Sequence, residues 1–207
     1  MNEFSASGSI QAGWKTFKKR PGFFIGSMLI IFVVVGIVSA IFGQYENQGT
    51  VSVLASLGNL LVETLVDIGI VAFALKAVDH PESVRLADLW HPRHYFQYLA
   101  AVVLTGIAVI VGFALLIVPG IIVMLMLLFV KYAVVDQKLG PIEAIKESAR
   151  LTKGHRVDLL VLLILALLVN IAGALCLLVG LLVSVPVTYL SMVHAYRTLQ
   201  RLAPANA

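Results

Sequence analysis

The sequence predicts an all-α protein with six transmembrane helices, and three observations support that fold class. Of the 207 residues, 60% are hydrophobic and only 13% are charged, whereas soluble domains carry about 25% charged residues. Six apolar stretches are long enough to cross the hydrocarbon layer of a membrane. The connectors between them alternate between cation-rich and cation-free, so all 15 Lys and Arg residues fall on one side.

The predicted spans follow the apolar runs and the breaks between them. They cover residues 23–42, 51–78, 98–118, 121–135, 157–179 and 181–196, with tight breaks at Pro119-Gly120 and at Gly180. Lys and Arg beside span ends are retained in the cytoplasm, so both termini are predicted to be cytoplasmic. The spans use nearly the whole chain, which predicts a single membrane domain, residues 1–207, without a separate soluble domain.

Each hairpin of two spans follows an amphipathic segment. Ile10, Trp14 and Phe17 form an apolar stripe in the first segment, and Pro141 and Gly154 bound the third. The middle segment, 84–95, is shorter. We expect three cytoplasmic interfacial helices with their apolar faces toward lipid. The units 5–78, 82–136 and 140–199 fit three parallel helix-hairpin repeats; alternatively, hairpins recur because membrane insertion works pairwise.

Several short segments together resemble a known family. They are residues 116–122, 129–136, 143–144, 148, 151–154, 173, 180–183, 186 and 196–197. This set resembles a family of uncharacterised bacterial six-span membrane proteins, related to the membrane domain fused to some glycerophosphoryl diester phosphodiesterases. The resemblance implies a multi-pass protein of the bacterial cytoplasmic (inner) membrane. It supplies no catalytic residues, because the fused enzymes keep theirs in a separate soluble domain.

Five ionisable or amide side chains are predicted to lie inside the membrane, namely Asn59, Glu63, Asp67, Lys131 and His194. The first three are spaced by four residues on one face of the second span. Such residues mark functional sites by default, because they are costly to keep in lipid. One interpretation is a proton-linked pathway in which Glu63 and Asp67 hold one shared proton. The other is structural: Asp67 is hydrated near the cytoplasmic interface, Lys131 extends along its own helix toward that interface, and Glu63 forms a bridge to Lys131 or His194.

The cations beside the interfacial helices have two interpretations. Lys18, Lys19, Lys146, Lys153, Arg150 and Arg156 are candidates for binding the phosphates of anionic lipids. Alternatively, they only set topology. Asp136 is expected to tie down the following interfacial helix, and Ser148 to hydrogen-bond a neighbouring span or a lipid head group.

No nucleophile motif, phosphate-binding glycine loop or metal-ligand quartet occurs, so the sequence predicts no enzyme activity, cofactor or metal. His80, His91 and His94 are interpreted as solvated interface histidines. Basic stripes with interleaved aromatics are absent, which argues against nucleic acid as a partner. The first predicted function is a non-catalytic membrane module that organises lipids or partner proteins, or assembles with itself, through its basic cytoplasmic face. The alternative is a small-molecule or ion carrier that uses Glu63 and Asp67.

Overall fold

The computed structural model describes residues 4–45, 50–90, 94–176 and 179–203, so His91 lies outside the described residues. Within those ranges every regular element is helical, which confirms the predicted all-α class. The α-helices are α1 (Ala6–Lys19), α2 (Pro21–Gly43), α3 (Thr50–Asp79), α4 (Tyr95–Leu115), α5 (Ile117–Met126), α6 (Val130–Gln137), α7 (Pro141–Thr152), α8 (Arg156–Leu175) and α9 (Leu181–Leu202). A short 3₁₀ helix, Leu86–Leu89, lies between α3 and α4.

Four of the described segments are long and apolar enough to cross a membrane. They are α2, α4, α8 and the segment Ile117–Gln137, which consists of α5 and α6. These four segments indicate a membrane protein, in agreement with the composition. The two other predicted spans correspond to α3 and α9, which are 30 and 22 residues long. Both carry ionisable residues along their length, and neither is among the four.

The turn between α4 and α5 lies three residues before the predicted break. Leu116 is the one non-helical residue here and has extended backbone, with φ −168° and ψ 160°. Pro119 and Gly120 lie inside the first turn of α5, where proline is tolerated because the first N–H groups have no intrahelical partner. Close packing explains why residue 120 is a glycine, since a Cβ on Gly120 would lie 2.9 Å from the Cα of Phe113.

Two of the three predicted amphipathic segments form helices, namely α1 and α7. The buried face of α1 includes the small residues Ser9, Gly13 and Thr16. This face packs closely on α9, because a Cβ on Gly13 would lie 2.7 Å from the carbonyl oxygen of Val187. Trp14, from the predicted apolar stripe, is 40% exposed. The small residues of α1 therefore set how closely it approaches α9.

The third predicted interfacial helix is reduced to the 3₁₀ turn Leu86–Leu89. The backbone N–H of Arg85 donates to Oδ2 of Asp88 at 2.7 Å, and Oδ1 of Asp88 accepts from Nζ of Lys76 at the same distance. The bond from the Arg85 N–H to Asp88 caps the start of this short helix, because it satisfies a backbone donor that has no partner within the helix. The ion pair between Asp88 and Lys76 packs the connector against α3.

Aromatic rings from α6, α9 and the turn before α6 form the centre of the largest buried cluster. The rings of Phe129, Tyr132 and Tyr196 lie with centroids 5.7–5.9 Å apart. Leu159 and Leu162 of α8 are fully buried in the same cluster. Since lipid supplies no hydrophobic drive between helices, such dense packing is what holds them together.

Candidate functional site

The carboxylate of Asp67 joins three helices. Its Oδ2 lies 2.6 Å from Nζ of Lys131 on α6, an ion pair. The same oxygen accepts a hydrogen bond from the hydroxyl of Tyr98 on α4, at 2.8 Å. Tyr98 is fully buried, whereas the Asp67 and Lys131 side chains are 24% and 43% exposed. Asp67 is therefore neutralised by a cation and braced by a phenol within the bundle.

Glu63, one helical turn from Asp67, makes a different contact. Its Oε1 accepts a hydrogen bond from Nδ2 of Asn59 at 2.9 Å, on the same helix, and the residue is exposed. The Oδ1 atom of Asn59 is buried and has no hydrogen-bond partner within the described residues. A groove of about 320 Å³ between α2 and α3 continues this polar stripe and is lined in part by Ser39, Ser52, Ser56 and Asn59.

His194 belongs to neither contact, because its ring faces α1. Its Nε2 lies 2.9 Å from Oγ1 of Thr16, a hydrogen bond that joins α1 to α9. The five predicted intramembrane residues, Asn59, Glu63, Asp67, Lys131 and His194, thus form three separate groups. Counting residues along each helix gives the depth of a side chain but not its direction, and the direction separates these groups.

A charged network at the ends of α3, α6 and α9 was missed by the sequence analysis. The guanidinium of Arg197 donates to both carboxylate oxygens of Asp136, at 2.7 Å each, and to both oxygens of Asp79. The hydroxyl of Tyr196 also donates to Asp136, at 3.1 Å. Asp136 was expected to tie down α7, but these bonds anchor it to α9. Asp136, Tyr196 and Arg197 all lie in the segments that resemble the known family. This shared membership was the sequence signal that could have indicated the network.

The span Ile117–Gln137 is interrupted at residues 127–129, although the sequence there contains no Gly or Pro. The Val130 N–H bonds to the carbonyl of Leu127, so the Met126 carbonyl loses its regular helical donor. Ser148 of α7 fills this gap. Its hydroxyl donates to the Met126 carbonyl at 2.7 Å and accepts from the Phe129 N–H at 3.1 Å. Irregular backbone at membrane depth is tolerated only when its polar groups are satisfied in this way.

Lysines on α1 and α7 remain available to other molecules. Lys18, Lys19, Lys146 and Lys153 are exposed and form no ion pair within the described part of the chain. Lys18 alone has an aromatic neighbour, with its Nζ 5.1 Å from the centre of the Trp14 ring. Two helices therefore present unneutralised positive charge.

Arg150, by contrast, contacts Glu147 one turn before it on α7. Its Nε and one terminal nitrogen donate to the two Glu147 carboxylate oxygens, both at 2.8 Å. These hydrogen bonds from Arg150 lower the pKa of Glu147 below its ordinary value, although partial burial acts in the opposite direction. The Nε of Arg156, the sixth candidate phosphate ligand, is buried without a hydrogen-bond partner among the described residues.

An apolar cleft of about 390 Å³ opens between α2, α3 and the 3₁₀ helix. Its walls include Ile30, Val34, Leu65, Leu86 and Trp90. Trp90 is 69% exposed at this cleft. Walls of this composition suit a hydrocarbon chain better than a polar solute.

The fold and these contacts define an all-helical membrane protein whose polar residues mostly join helices to one another. The chain belongs to a family described as a domain of unknown function (DUF7847), whose model matches residues 96–202, more than half of the chain. No curated protein matches the chain. No solved structure matches it either.

Proposed function

We propose that the chain is a six-span protein of the bacterial cytoplasmic membrane, with α3 and α9 as its second and sixth spans and both termini in the cytoplasm. The positions of α3 and α9 support this topology. α9 packs against α1, α2, α3 and α8, and many of its residues are buried. Ionisable residues on a transmembrane helix are tolerated where they face the interior of the bundle rather than lipid. We also propose the relation to the membrane domain of glycerophosphoryl diester phosphodiesterases.

The native cysteine offers a direct test of this topology. Cys176, at the end of α8, is exposed and is predicted to face outward. A membrane-impermeant maleimide applied to intact cells should label it. Lys138→Cys, in a Cys176→Ser background, should react only after the cells are permeabilised, whereas Tyr45→Cys should react without permeabilisation. Labelling of position 138 in intact cells would refute the orientation, and protection of position 45 would refute α3 as a span.

Within this topology, the function that we propose is a non-catalytic module that organises anionic lipids or partner proteins at the cytoplasmic face. The observation that carries this proposal is a set of exposed lysines on α1 and at α7 that form no ion pair among the described residues: Lys15, Lys18, Lys19, Lys146 and Lys153. Each cation close to an anionic surface contributes about 1 kcal/mol of attraction. The apolar cleft beside Trp90 adds a surface suited to an acyl chain.

The arrangement around Asp67 favours this module over a carrier. A carrier that used Glu63 and Asp67 as a proton-sharing pair would need both carboxyls at one accessible site. Asp67 instead contacts Lys131 and Tyr98, while Glu63 contacts Asn59. Breaking such an ion pair inside the bundle would leave a charge without a partner, which is a structural cost rather than a transport step.

Lipid binding can be tested by melting the protein in nanodiscs with and without phosphatidylglycerol. We expect the anionic lipid to raise the melting temperature of the wild type. The variant with Gln at all five of these exposed lysines should lose most of this increase. Glu143→Gln removes an exposed negative charge from α7 and serves as the control, since it should keep or enlarge the increase. An equal increase in the five-lysine variant and the wild type would refute the proposal.

A further inference from the structure

We propose that the apolar cleft between α2, α3 and the 3₁₀ helix holds one acyl chain of an anionic glycerophospholipid, whose phosphate binds Arg20 and Arg85 at the cytoplasmic end of the cleft. This inference rests on the proposed function and its topology, in which the ends of α2 and α3 near these arginines face the cytoplasm. It assigns a defined lipid site, whereas the exposed lysines of α1 and α7 provide a diffuse positive surface.

One wall of the cleft is the connector between α3 and α4, which runs back along α3 toward the middle of the membrane. Val84 is buried in the same cluster as Ala77, near the end of α3. Further along the connector, the backbone of Leu89 touches α3 so closely that a Cβ on Gly69 would clash with the Leu89 carbonyl oxygen. Gly69 lies eight residues before Ala77, or about 12 Å along the helix. The wall therefore extends from the cytoplasmic end of α3 into the hydrocarbon layer, the direction in which an acyl chain lies.

This wall is fixed at further points besides the contact with Gly69. The carboxylate of Asp88 forms an ion pair with Lys76 of α3 at 2.7 Å. On the other side, Nη1 of Arg20 donates to the carbonyls of Glu82 and Val84, at 3.4 Å and 3.3 Å. A cleft whose wall is held in this way is preformed, so a ligand loses little affinity to ordering it.

Two cations lie together beside the start of the wall. The bond from Arg20 to the Val84 carbonyl places its guanidinium next to the peptide that joins Val84 to Arg85. The Arg20 guanidinium also lies 4.4 Å from the centre of the Phe23 ring, and its Nε and Nη2 form no hydrogen bond within the described residues. Arg85 is exposed, and neither arginine has an ion pair with Glu82 or another acid in the described part of the chain. Both arginines therefore retain donors for an anion.

The position of these donors relative to the cleft defines the ligand. Arg85 directly precedes Leu86, a residue of the cleft wall, so the cations lie at that end of the apolar surface. A matching ligand has an anionic head and an apolar tail, arranged in this order from the cytoplasm toward the midplane. An anionic phospholipid of the cytoplasmic leaflet has this arrangement, and arginine binds phosphate through several donors at once. A zwitterionic phospholipid fits less well, because its ammonium is repelled by the same cations.

The fluorescence of Trp90 reports directly on the cleft. Trp90 belongs to the cleft wall and is 69% exposed. The chain has two tryptophans, so Trp14→Phe leaves Trp90 as the only one. In phosphatidylcholine vesicles, phosphatidylglycerol brominated on its acyl chains should quench Trp90 at roughly 5- to 30-fold lower mole fraction than brominated phosphatidylcholine, as expected for attraction by two cations. Equal quenching by the two brominated lipids would overturn the proposal.

Variants of Arg85 test the head-group contact in this single-tryptophan protein. Arg85→Gln should reduce the preference for phosphatidylglycerol about 5-fold, and Arg85→Lys should retain most of it. Lys138→Gln removes an exposed cation at the end of α6, which does not line the cleft, and should leave the preference unchanged. An unchanged preference in Arg85→Gln, or an equal reduction in Lys138→Gln, would contradict the assigned phosphate contact.

A matched pair on α2 tests the acyl chain. Val34 lines the cleft, whereas its neighbour Val33 is 59% exposed and does not. Val34→Phe should fill part of the cleft and reduce quenching by brominated phosphatidylglycerol, and Val33→Phe should not. Equal quenching in the two variants would show that the chain does not occupy the cleft.

The variant with Gln at the five exposed lysines separates this inference from the proposed function. The preference measured at Trp90 should persist in that variant, because Arg20 and Arg85 are intact. Loss of the preference there would assign it to the diffuse lysine surface and overturn the inference. A melting-temperature increase equal to that of the wild type would refute only the role proposed for the lysines.

Discussion

The substitution Ser148→Ala should destabilise the protein far more than the loss of one hydroxyl suggests. Ser148 is fully buried, and its Oγ serves the Met126 carbonyl and the Phe129 N–H, which the interruption of the helix leaves without their regular partners. Each buried polar group left unsatisfied costs about 1–3 kcal/mol. Because the turn can partly relax, we expect a total loss of about 2–4 kcal/mol. For a chain of this size the melting temperature should fall by roughly 4–16 °C.

Ser191→Ala is the matched control for this prediction. Ser191 is also fully buried, and its hydroxyl donates to the Val187 carbonyl at 2.7 Å. That carbonyl lies four residues earlier in the continuous helix α9, so the backbone N–H of residue 191 still serves it. Removal of the Ser191 hydroxyl should therefore cost less than about 1 kcal/mol. The assay is thermal unfolding of purified protein in detergent, followed by near-ultraviolet circular dichroism. Equal losses for the two alanine variants would refute the reasoning that Ser148 completes the broken span.

Three further predictions concern other helix contacts. A double-mutant cycle of Asp67→Asn and Lys131→Met, measured by thermal unfolding, should give a coupling energy of about 0.5–3 kcal/mol; no coupling would contradict the ion pair. Gly13→Ala should cost about 1–3 kcal/mol because its Cβ meets the backbone of α9, whereas Gly8→Ala, on the exposed side of α1, should be neutral or stabilising. The lowered pKa of Glu147 contributes stability that is present at neutral pH and lost as the pH falls below about 4.5 through the folded-state value. Glu147→Gln should therefore flatten the decrease in melting temperature on acidification, and an unchanged acid profile would contradict this contribution.

The interruption at residues 127–129 shows where prediction from the sequence ended. A broken helix is usually signalled by Gly or Pro, and residues 121–135 contain neither. The break exists because Ser148, about 20 residues later in the chain, provides a donor and an acceptor at that point. The sequence analysis named Ser148 as a hydrogen-bonding residue with two alternative partners, a span or a lipid, and the structure places it on the neighbouring span.

The candidate site was likewise predicted only in part from the sequence. The sequence identified Asp67 and Lys131 as intramembrane residues but offered Glu63 as the structural partner of Lys131 or His194. That pairing is wrong, because Lys131 contacts Asp67 and Glu63 contacts Asn59. Tyr98, the second donor to Asp67, was not named as a site residue, because a tyrosine near a span end is typical of the interfacial aromatic belt. Arg197 was read as one of the cations that set topology, and its bonds to two aspartates from other helices were not foreseen.

The sequence by itself determined the class of protein: an all-helical membrane protein with long apolar segments and cations placed between them. These properties depend on composition and on local spacing, which the chain carries in any conformation. Only the tertiary structure decided which polar groups meet. Asp67 and Lys131 are 64 positions apart, and their contact depends on the rotation and tilt of α3 relative to α6. Those angles follow from side-chain packing among several helices at once, a property that no single segment contains.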